Sequence, residues 1–160
     1  MKPRLSFLVI SLFLAITLAQ SQNAVSKHYD TEKAIQLKGA VTSAYLMGRE
    51  HVGFLFIEVE DVNGKVEEWA VTGNPEKALL ETGWVLVPPS PTLKHRELVT
   101  VIAYLPRPDT ILADVSPSVA RATSMPGLPS PAERFNAGRF AFGTEVTLSS
   151  GKKLVFGDLK

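Results

Sequence analysis

The feature that most constrains the fold is a hairpin signal near the middle of the chain, where Asn63-Gly64 stands between two strand-like runs. An Asn-Gly pair accepts the positive φ angles that a tight hairpin turn requires at both positions. The preceding run, 52–60, is apolar on both faces at its start and amphipathic towards its end. This is typical of a strand that enters a barrel or is covered at one end. With the return run, 65–71, the pattern predicts an antiparallel hairpin.

A compact helix signature follows this hairpin. Asn74 is suited to cap the helix, Pro75 to occupy its first position, and Glu76 to complement the positive end of its dipole. Gly83 is suited to end the helix in the left-handed conformation, which allows Trp84 to pack back against it. The helix is about two turns long, so we expect packing to hold it.

Six strand-like runs and this helix complete the pattern. The runs are 33–41, 52–60, 65–71, 98–105, 140–148 and 153–156. Gly39 interrupts the first run and indicates a bend or bulge. The helix follows the third run in an otherwise antiparallel meander, as in barrels of the oligonucleotide/oligosaccharide-binding (OB) type. We therefore predict a mainly β fold, a small OB-like antiparallel barrel that is closed or partly open, with a β-sandwich as the alternative.

The N-terminus has the order of a secretory signal: a basic start, the apolar run Leu5–Leu18, and a small-residue exit. We predict a signal peptide over 1–21, cleaved after Ser21 or, nearly as well, after Ala19. An uncleaved anchor is the alternative. The apolar run is shorter than the roughly 20 residues of a membrane span, so no span is expected after cleavage. The working protein is expected in the periplasm or outside the cell.

Three regions are predicted beyond the signal. Residues 22–31 are polar and are expected to be a flexible lead-in. Residues 32–160 suit a single β-barrel domain. A Pro-rich insertion at 106–138 interrupts this domain, and loops of such length are usually functional or disordered.

Charge and the lack of cysteine exclude several classes of function. Loss of Lys2 and Arg4 with the signal takes 17 basic residues to 15 against 16 acidic ones, a net charge of −1. A near-neutral surface gives no general attraction to nucleic acid or anionic lipid. The absence of cysteine excludes disulfides, thiol catalysis and a lipid-modified cysteine. Export also separates the chain from cytoplasmic ATP and NAD, so no such cofactor is expected.

The histidines His28, His51 and His95 are the candidate metal ligands. Imidazole binds copper and zinc, and an exported chain without cysteine could use it for this purpose. No local motif such as H-x-x-x-H occurs. A site would require the fold to bring His28 and His51 together, with Glu50 or Asp30 as a further ligand. Copper or zinc binding by His28 and His51 is therefore an alternative, and exposed or structural histidines are the simpler interpretation.

No catalytic constellation stands out in the sequence. The G-x-S-x-G nucleophile elbow of many hydrolases is absent. Glu67 and Glu68 are adjacent on a strand, so their side chains face opposite sides and cannot act as a pair. Glu58 and Glu60 share a face, which is more typical of a solvated strand than of an acid/base pair. We therefore predict no enzyme activity.

Trp69 and Trp84 flank the predicted helix and have two interpretations. Aromatic rings on a barrel face can stack on a sugar or a base. Large aromatic side chains also dominate small cores, and we favour this role, in which both rings anchor the helix to the barrel.

Several motifs occur in the order seen in a bacterial exported family. They are His28 soon after the signal, Gly39-Ala40-Val41, His51 before the second strand, the turn from Asp61 to Val66, Trp69, Gly73-Asn74-Pro75, Leu79, Gly83-Trp84, and the closing hairpin Val146–Lys152. In these motifs the chain resembles the family known as domain of unknown function 6152. The resemblance covers most of Lys27–Tyr104 and resumes at Arg139. It implies an exported β protein and carries no activity with it.

The chain departs from that family's pattern at three places. Lys27 stands where a second histidine is usual, Arg49-Glu50 where Asn-Pro is usual, and Lys94-His95-Arg96 where a glycine-containing turn is usual. Loss of one of two paired histidines weakens the metal alternative.

Together these patterns predict an exported, non-enzymatic binding or accessory module of the bacterial cell envelope. The expected partner is an envelope protein or a small ligand, and nucleic acid is not expected. The alternative is a periplasmic copper- or zinc-binding protein. The residues on which the fold is expected to depend are Asn63, Gly64, Trp69, Asn74, Pro75, Gly83 and Trp84.

Overall fold

The computed structural model of the chain describes residues 25–47, 51–85, 91–108 and 139–159. The predicted signal peptide, 1–21, lies outside the described residues, as do 109–138 of the predicted Pro-rich insertion. The elements are β1 (Tyr29–Met47), β2 (Val52–Glu60), β3 (Val66–Pro75), α1 (Glu76–Glu81), β4 (Leu98–Pro106), β5 (Phe140–Thr147) and β6 (Lys153–Val155). Residues 25–28 form a helical turn ahead of β1. Neither helix in these ranges has the length and apolar character needed to cross a bilayer.

The strands form one ring-like sheet, and the predicted mainly β fold is confirmed. The order is β3-β2-β1-β4-β5-β6, and these five pairings are antiparallel. The ring closes where 70–72 of β3 pair with 140–142 of β5. This closing pairing is parallel, which a simple meander does not produce and which belongs to a Greek-key path.

β1 is the long strand that links the two sides of the barrel. Its first part pairs with β4 and its second with β2, and Gly39 and Ala40 pair with both. A Cβ atom at Gly39 would overlap the main-chain carbonyl oxygen of Glu58, so only glycine fits there. The register shifts between Val41 and Ser43, so the irregularity predicted at Gly39 lies further along β1, and Gly39 itself keeps regular pairing on both sides.

β1 begins earlier than the sequence predicted. Alternation placed the first strand from Lys33 and assigned 22–31 to a flexible lead-in, whereas Tyr29 is already a strand residue, paired with Pro106. The cause is tertiary packing, because the Tyr29 ring is buried against a ring of β5. Local alternation does not reveal such a contact.

The β2–β3 hairpin is confirmed, with a different turn from the one predicted. Within this described turn Gly64 has a positive φ of 78°, and Asn63 does not have a positive φ. The Asp61 carboxylate accepts hydrogen bonds from the N–H groups of Asn63 and Lys65 at 2.7 and 2.9 Å. Asp61 thus stabilises a three-residue loop in which the glycine reverses the chain. The β5–β6 hairpin also reverses at a glycine, Gly151, whose φ is 84° and whose N–H donates to the Leu148 carbonyl.

The helix α1 begins one residue later than predicted. Pro75 occupies its N-cap position without a side-chain cap, so the prediction that Asn74 caps the helix and Pro75 opens it is wrong. Asn74 belongs to β3, and its side-chain oxygen accepts a hydrogen bond from the Asp158 N–H at 3.0 Å. The side chain is therefore engaged with the C-terminal segment, which sequence spacing could not indicate.

The C-terminus of α1 confirms the predicted glycine cap. Gly83 has a φ of 89°, and its N–H donates to the Leu80 carbonyl. The Trp84 N–H donates to the Leu79 carbonyl, which completes a Schellman motif. Trp84 and Leu79 both lie in the interior core, so the cap also determines where the indole enters the barrel.

Phe156 completes the interior core and the ring of strands. Its side chain is fully buried, and its ring lies 5.2 Å from that of Trp84. Its N–H donates to the Thr144 carbonyl of β5 at 2.8 Å, and its carbonyl accepts from the Asn74 N–H of β3 at 2.7 Å. Phe156 therefore joins β5 to β3 beyond their direct pairing.

Candidate functional site

A second apolar cluster lies on the outside of the barrel. Side chains alternate along β2, so Leu55 and Ile57 enter the interior core while Phe54 and Phe56 face outwards. Despite this position Phe54 is 0% exposed and Phe56 is 3% exposed. The prediction that this strand is covered at one end is confirmed.

The register across β2, β3 and β5 aligns the outward residues in two rows. The first row consists of Phe56, Ala70 and Phe140. The second row consists of Phe54, Thr72 and Phe142. All six side chains are buried, and we call these six residues the outer aromatic face.

The first described residues of the chain cover this face. Tyr29 is 3% exposed, and its ring lies 5.3 Å from that of Phe142 and 6.3 Å from that of Phe140. Val25 packs against the same cluster from the helical turn that precedes β1. We call residues 25–29 the N-terminal strap.

Arg107, just beyond the end of β4, anchors this strap. Its N–H donates to the His28 carbonyl at 2.9 Å. Its Nε–H donates to the Ser26 carbonyl at 3.0 Å. Both acceptors are main-chain atoms, so the anchor does not depend on the strap's side chains.

An irregular link joins the strap to the regular part of β1. Tyr29 pairs with Pro106 and Ala34 pairs with Tyr104. Residues 30–33 therefore lie opposite a single residue of β4 and are not part of a regular ladder. The strap is attached to the barrel through this link and through its own contacts.

Tyr29 fits imperfectly into the face that it covers. Its hydroxyl is buried and has no hydrogen-bond partner among the described residues. Burial raises the pKa of this hydroxyl well above its usual range, because the phenolate would lose its hydration. Ser43, which lies opposite Phe56, also has a buried hydroxyl without a partner in the described ranges. Unpaired buried hydroxyls are unfavourable, so packing of the Tyr29 ring, and not its hydroxyl, holds Tyr29 on the outer aromatic face.

Tyr45 extends the outer aromatic face to an accessible edge. It lies opposite Phe54, and its ring meets that of Phe56 edge-on at a centroid distance of 6.0 Å. Unlike the six buried residues, Tyr45 is 47% exposed. A ligand that approaches the face from solvent would therefore meet Tyr45 first.

The structure places the predicted metal ligands on different elements. His28 belongs to the strap, ahead of β1, and His51 belongs to the turn before β2. His51 has a positive φ of 49°, and its Nδ1 lies 2.8 Å from Oε2 of Glu76. The Nδ1 of His95 lies 3.1 Å from the Thr42 carbonyl oxygen. Within the described residues no group of three or more histidine, aspartate or glutamate side chains could hold a metal ion.

Two adjacent carboxylates of β3, Glu67 and Glu68, have separate partners, which fits the prediction that their side chains face opposite sides. Glu67 forms ion pairs with Arg139 at 2.6 Å and with Lys65 at 3.0 Å. The Arg139 contact, and then that of Lys65, hold the pKa of the Glu67 carboxyl below its usual range. Glu68 instead accepts a hydrogen bond from the Thr42 hydroxyl at 3.0 Å.

One carboxylate pair was not predicted from the sequence. Glu58 lies directly opposite Glu68 across β2 and β3, where like charges repel. An ion pair between Glu58 and Arg96 offsets this repulsion. Three steps from Asp61 back along β2 and three from Lys65 forward along β3 reach the two glutamates. The two-residue Asn63-Gly64 turn predicted from the sequence gives a register shifted by one residue, so it does not place them opposite each other.

The predicted core role is confirmed for Trp84, and Trp69 lies at the edge of the core. Trp84 is 1% exposed, and its Nε1–H donates to the Val155 carbonyl. Trp69 is partly buried and packs against the interior core, with the Arg139 guanidinium 5.5 Å from its ring centroid. These contacts give the indole rings structural partners within the chain.

Sequence reasoning did not find the strap and the completed outer aromatic face. The outward phenylalanines of β2 were visible as an apolar second face, which was the available signal. Their partners come from distant segments, Tyr29 near the start of the chain and Phe140 and Phe142 near its end. The parallel closure of β3 on β5 brings these segments together, and local patterns do not encode it.

A family model described as "Family of unknown function (DUF6152)" matches residues 12–110, which is more than half of the chain. No curated protein and no solved structure matches the chain. The matched range includes the strap, β1 to β4 and α1. The chain therefore belongs to the family of unknown function DUF6152, as its motifs predicted.

Proposed function

We propose that this protein is a non-enzymatic binding module of the bacterial cell envelope, and that its ligand contacts the outer aromatic face. The observation that carries the proposal is a set of aromatic side chains on the outside of a barrel whose interior has its own core. Barrels of the OB type bind oligonucleotides and oligosaccharides on the face of their second and third strands and the loops beside it. Phe54, Phe56 and Ala70 lie on these strands.

The chemistry of the face favours an apolar or aromatic ligand. Phenylalanine rings offer stacking and apolar area, and they offer no polar groups. The expected net charge of −1 after signal removal gives no attraction to nucleic acid. The proposed partner is an envelope protein segment or a small ligand that presents an apolar group.

Export is part of the proposal and is supported by the N-terminal sequence. The basic start, apolar run and small-residue exit have the order of a cleaved signal. Mass spectrometry of the protein recovered from the periplasmic or culture fraction tests it. We expect loss of residues 1–21, and retention of the apolar run would contradict the proposal.

Site-specific photocrosslinking tests binding at the face. A photoreactive phenylalanine analogue at Tyr45 would lie at the accessible edge, and the same analogue at Val62 would lie on the fully exposed hairpin tip. In intact cells we expect a discrete crosslinked product from position 45 and none from position 62. Equal products from both positions, or none from position 45, would contradict the proposal.

Copper or zinc binding through His28 and His51 is the alternative proposal. The contact between His51 Nδ1 and Glu76 Oε2 supports it, since carboxylates often orient metal-binding imidazoles. The described residues contribute no group of three ligands, so a further ligand would have to come from elsewhere.

Calorimetric titration with zinc and with copper separates the two proposals. The binding-module proposal expects dissociation constants weaker than about 10 μM, because dedicated sites are much tighter. Tighter binding that His51→Ala abolishes and His95→Ala preserves would favour the metal alternative.

A further inference from the structure

We propose that the N-terminal strap competes internally for the outer aromatic face, and that the face binds an apolar segment of a partner protein anchored by a phenylalanine ring. This inference rests on the proposed binding function and names the chemistry of the partner. The strap displays the mode of binding, because a short segment already covers the face with one ring. That ring belongs to Tyr29, which packs against Phe140 and Phe142.

The fit of this ring indicates which anchor the face prefers. The Tyr29 ring packs against the rings of Phe140 and Phe142, and its hydroxyl has no partner among the described residues. A phenylalanine at the same place would keep the ring contacts and remove the unpaired hydroxyl. A partner segment with phenylalanine therefore has an advantage over the strap.

The attachment of the strap is compatible with displacement. Residues 30–33 form an irregular link, so the strap can leave without unzipping the regular ladder between β1 and β4. Arg107 holds the strap through the main-chain carbonyls of Ser26 and His28. A partner segment carries the same main-chain carbonyls and can use the same anchor.

A second copy of this chain is a less suitable occupant. Its strap carries the same tyrosine, so exchange between two copies would bury the same unpaired hydroxyl and improve nothing. The gain in fit requires a different residue at the anchor position. This argument favours a partner protein over a strand-exchanged dimer.

The test uses a fluorescent peptide that copies residues 22–33 with phenylalanine in place of Tyr29. Its affinity is measured by anisotropy for the purified protein and three variants. Tyr29→Phe improves the strap and should weaken peptide binding about tenfold, whereas Tyr29→Ala removes the ring and should strengthen binding about tenfold. Val62→Ala, on the exposed hairpin tip, is the control and should change nothing. The peptide with tyrosine should bind about tenfold more weakly than the phenylalanine peptide.

Equal peptide affinity for wild type, Tyr29→Phe and Tyr29→Ala would overturn the inference. If Tyr29→Ala does not fold, the comparison of Tyr29→Phe with wild type decides alone, since it removes one hydroxyl. Dimer formation without peptide binding would assign the face to a second copy and overturn the proposed partner class.

Failure of the strap inference can be distinguished from failure of the proposed binding function. A position-45 crosslink without any peptide binding would overturn the strap inference and leave the binding proposal standing. Absence of both the crosslink and peptide binding would contradict the strap inference and the proposed binding function together.

Discussion

At the scale of residues, Arg139 joins β5 to β3 near the closure of the barrel. Its carbonyl accepts a hydrogen bond from the Ala70 N–H at 2.9 Å, and its guanidinium contacts Glu67 and the Trp69 ring. The backbone bond is independent of pH, whereas the ion pair requires an ionised Glu67. Arg139 therefore contributes to the closure both a backbone hydrogen bond that does not titrate and an ion pair that does.

Arg139→Ala should raise the pKa of Glu67 towards its usual range, because the largest lowering contact is lost and Lys65 remains. The folded-state pKa of Glu67 lies below its unfolded value. Its contribution to stability is therefore present above the ordinary glutamate range and is lost as pH falls through the lower folded value. Side-chain NMR titration measures the shift. Lys153→Ala, which removes a pair with Glu145, is the control, and an unmoved Glu67 pKa in Arg139→Ala would contradict the assignment.

Two glycines should respond differently to substitution by alanine. Gly39→Ala should lower the free energy of unfolding by about 3 kcal/mol, because its Cβ would overlap the Glu58 carbonyl and force the backbone apart. In Gly151→Ala the new Cβ would meet no neighbouring atom. The free energy of unfolding should fall by about 1 kcal/mol, because alanine is strained at the positive φ of this position. Urea unfolding of both variants measures the difference. Similar losses of unfolding free energy in the two variants would show that the close approach of β1 to the Glu58 carbonyl does not require glycine at position 39.

At the scale of elements, the sequence predicted the features that neighbouring residues determine, namely turns and the glycine end of a helix. Turn residues predicted the β2–β3 hairpin, and Gly83 predicted the end of α1. The start of α1 was misplaced because Asn74 bonds to Asp158, a residue far along the chain. The start of β1 was misplaced for the same kind of reason, since Tyr29 is held by distant rings. Elements whose ends depend on tertiary partners could not be bounded from local patterns.

Phe156→Ala should destabilise the barrel by about 4 kcal/mol, because it removes a buried ring that packs on Trp84 at the junction of β5 and β3. Urea unfolding measures the loss, and hydrogen exchange should show faster opening of β3 and β5. Val155→Ala changes a half-exposed neighbour and should cost less than about 0.5 kcal/mol. Comparable losses would show that Phe156 does not join the two strands.

At the scale of the whole molecule, the barrel has two separate apolar clusters, one inside it and one on its outer side. The interior core, with Trp84 and Phe156, accounts for the fold. The outer aromatic face lies on the opposite side of the same strands and is covered by the strap. Resemblance in the motifs predicted the family, and the order of the strand-like runs and the helix predicted the fold class. The outer aromatic face could not be predicted, because its two rows of side chains are aligned by the pairing of β3 with β5 that closes the sheet.

The yield of the position-45 photocrosslink in intact cells, compared across three backgrounds, tests the central claim most directly. If the outer aromatic face is a binding surface in competition with the strap, the yield should rise from Tyr29→Phe to wild type to Tyr29→Ala. The product from Val62 should stay absent in all three. The same yield in every background, or a matching product from position 62, would contradict the claim that this face binds the partner.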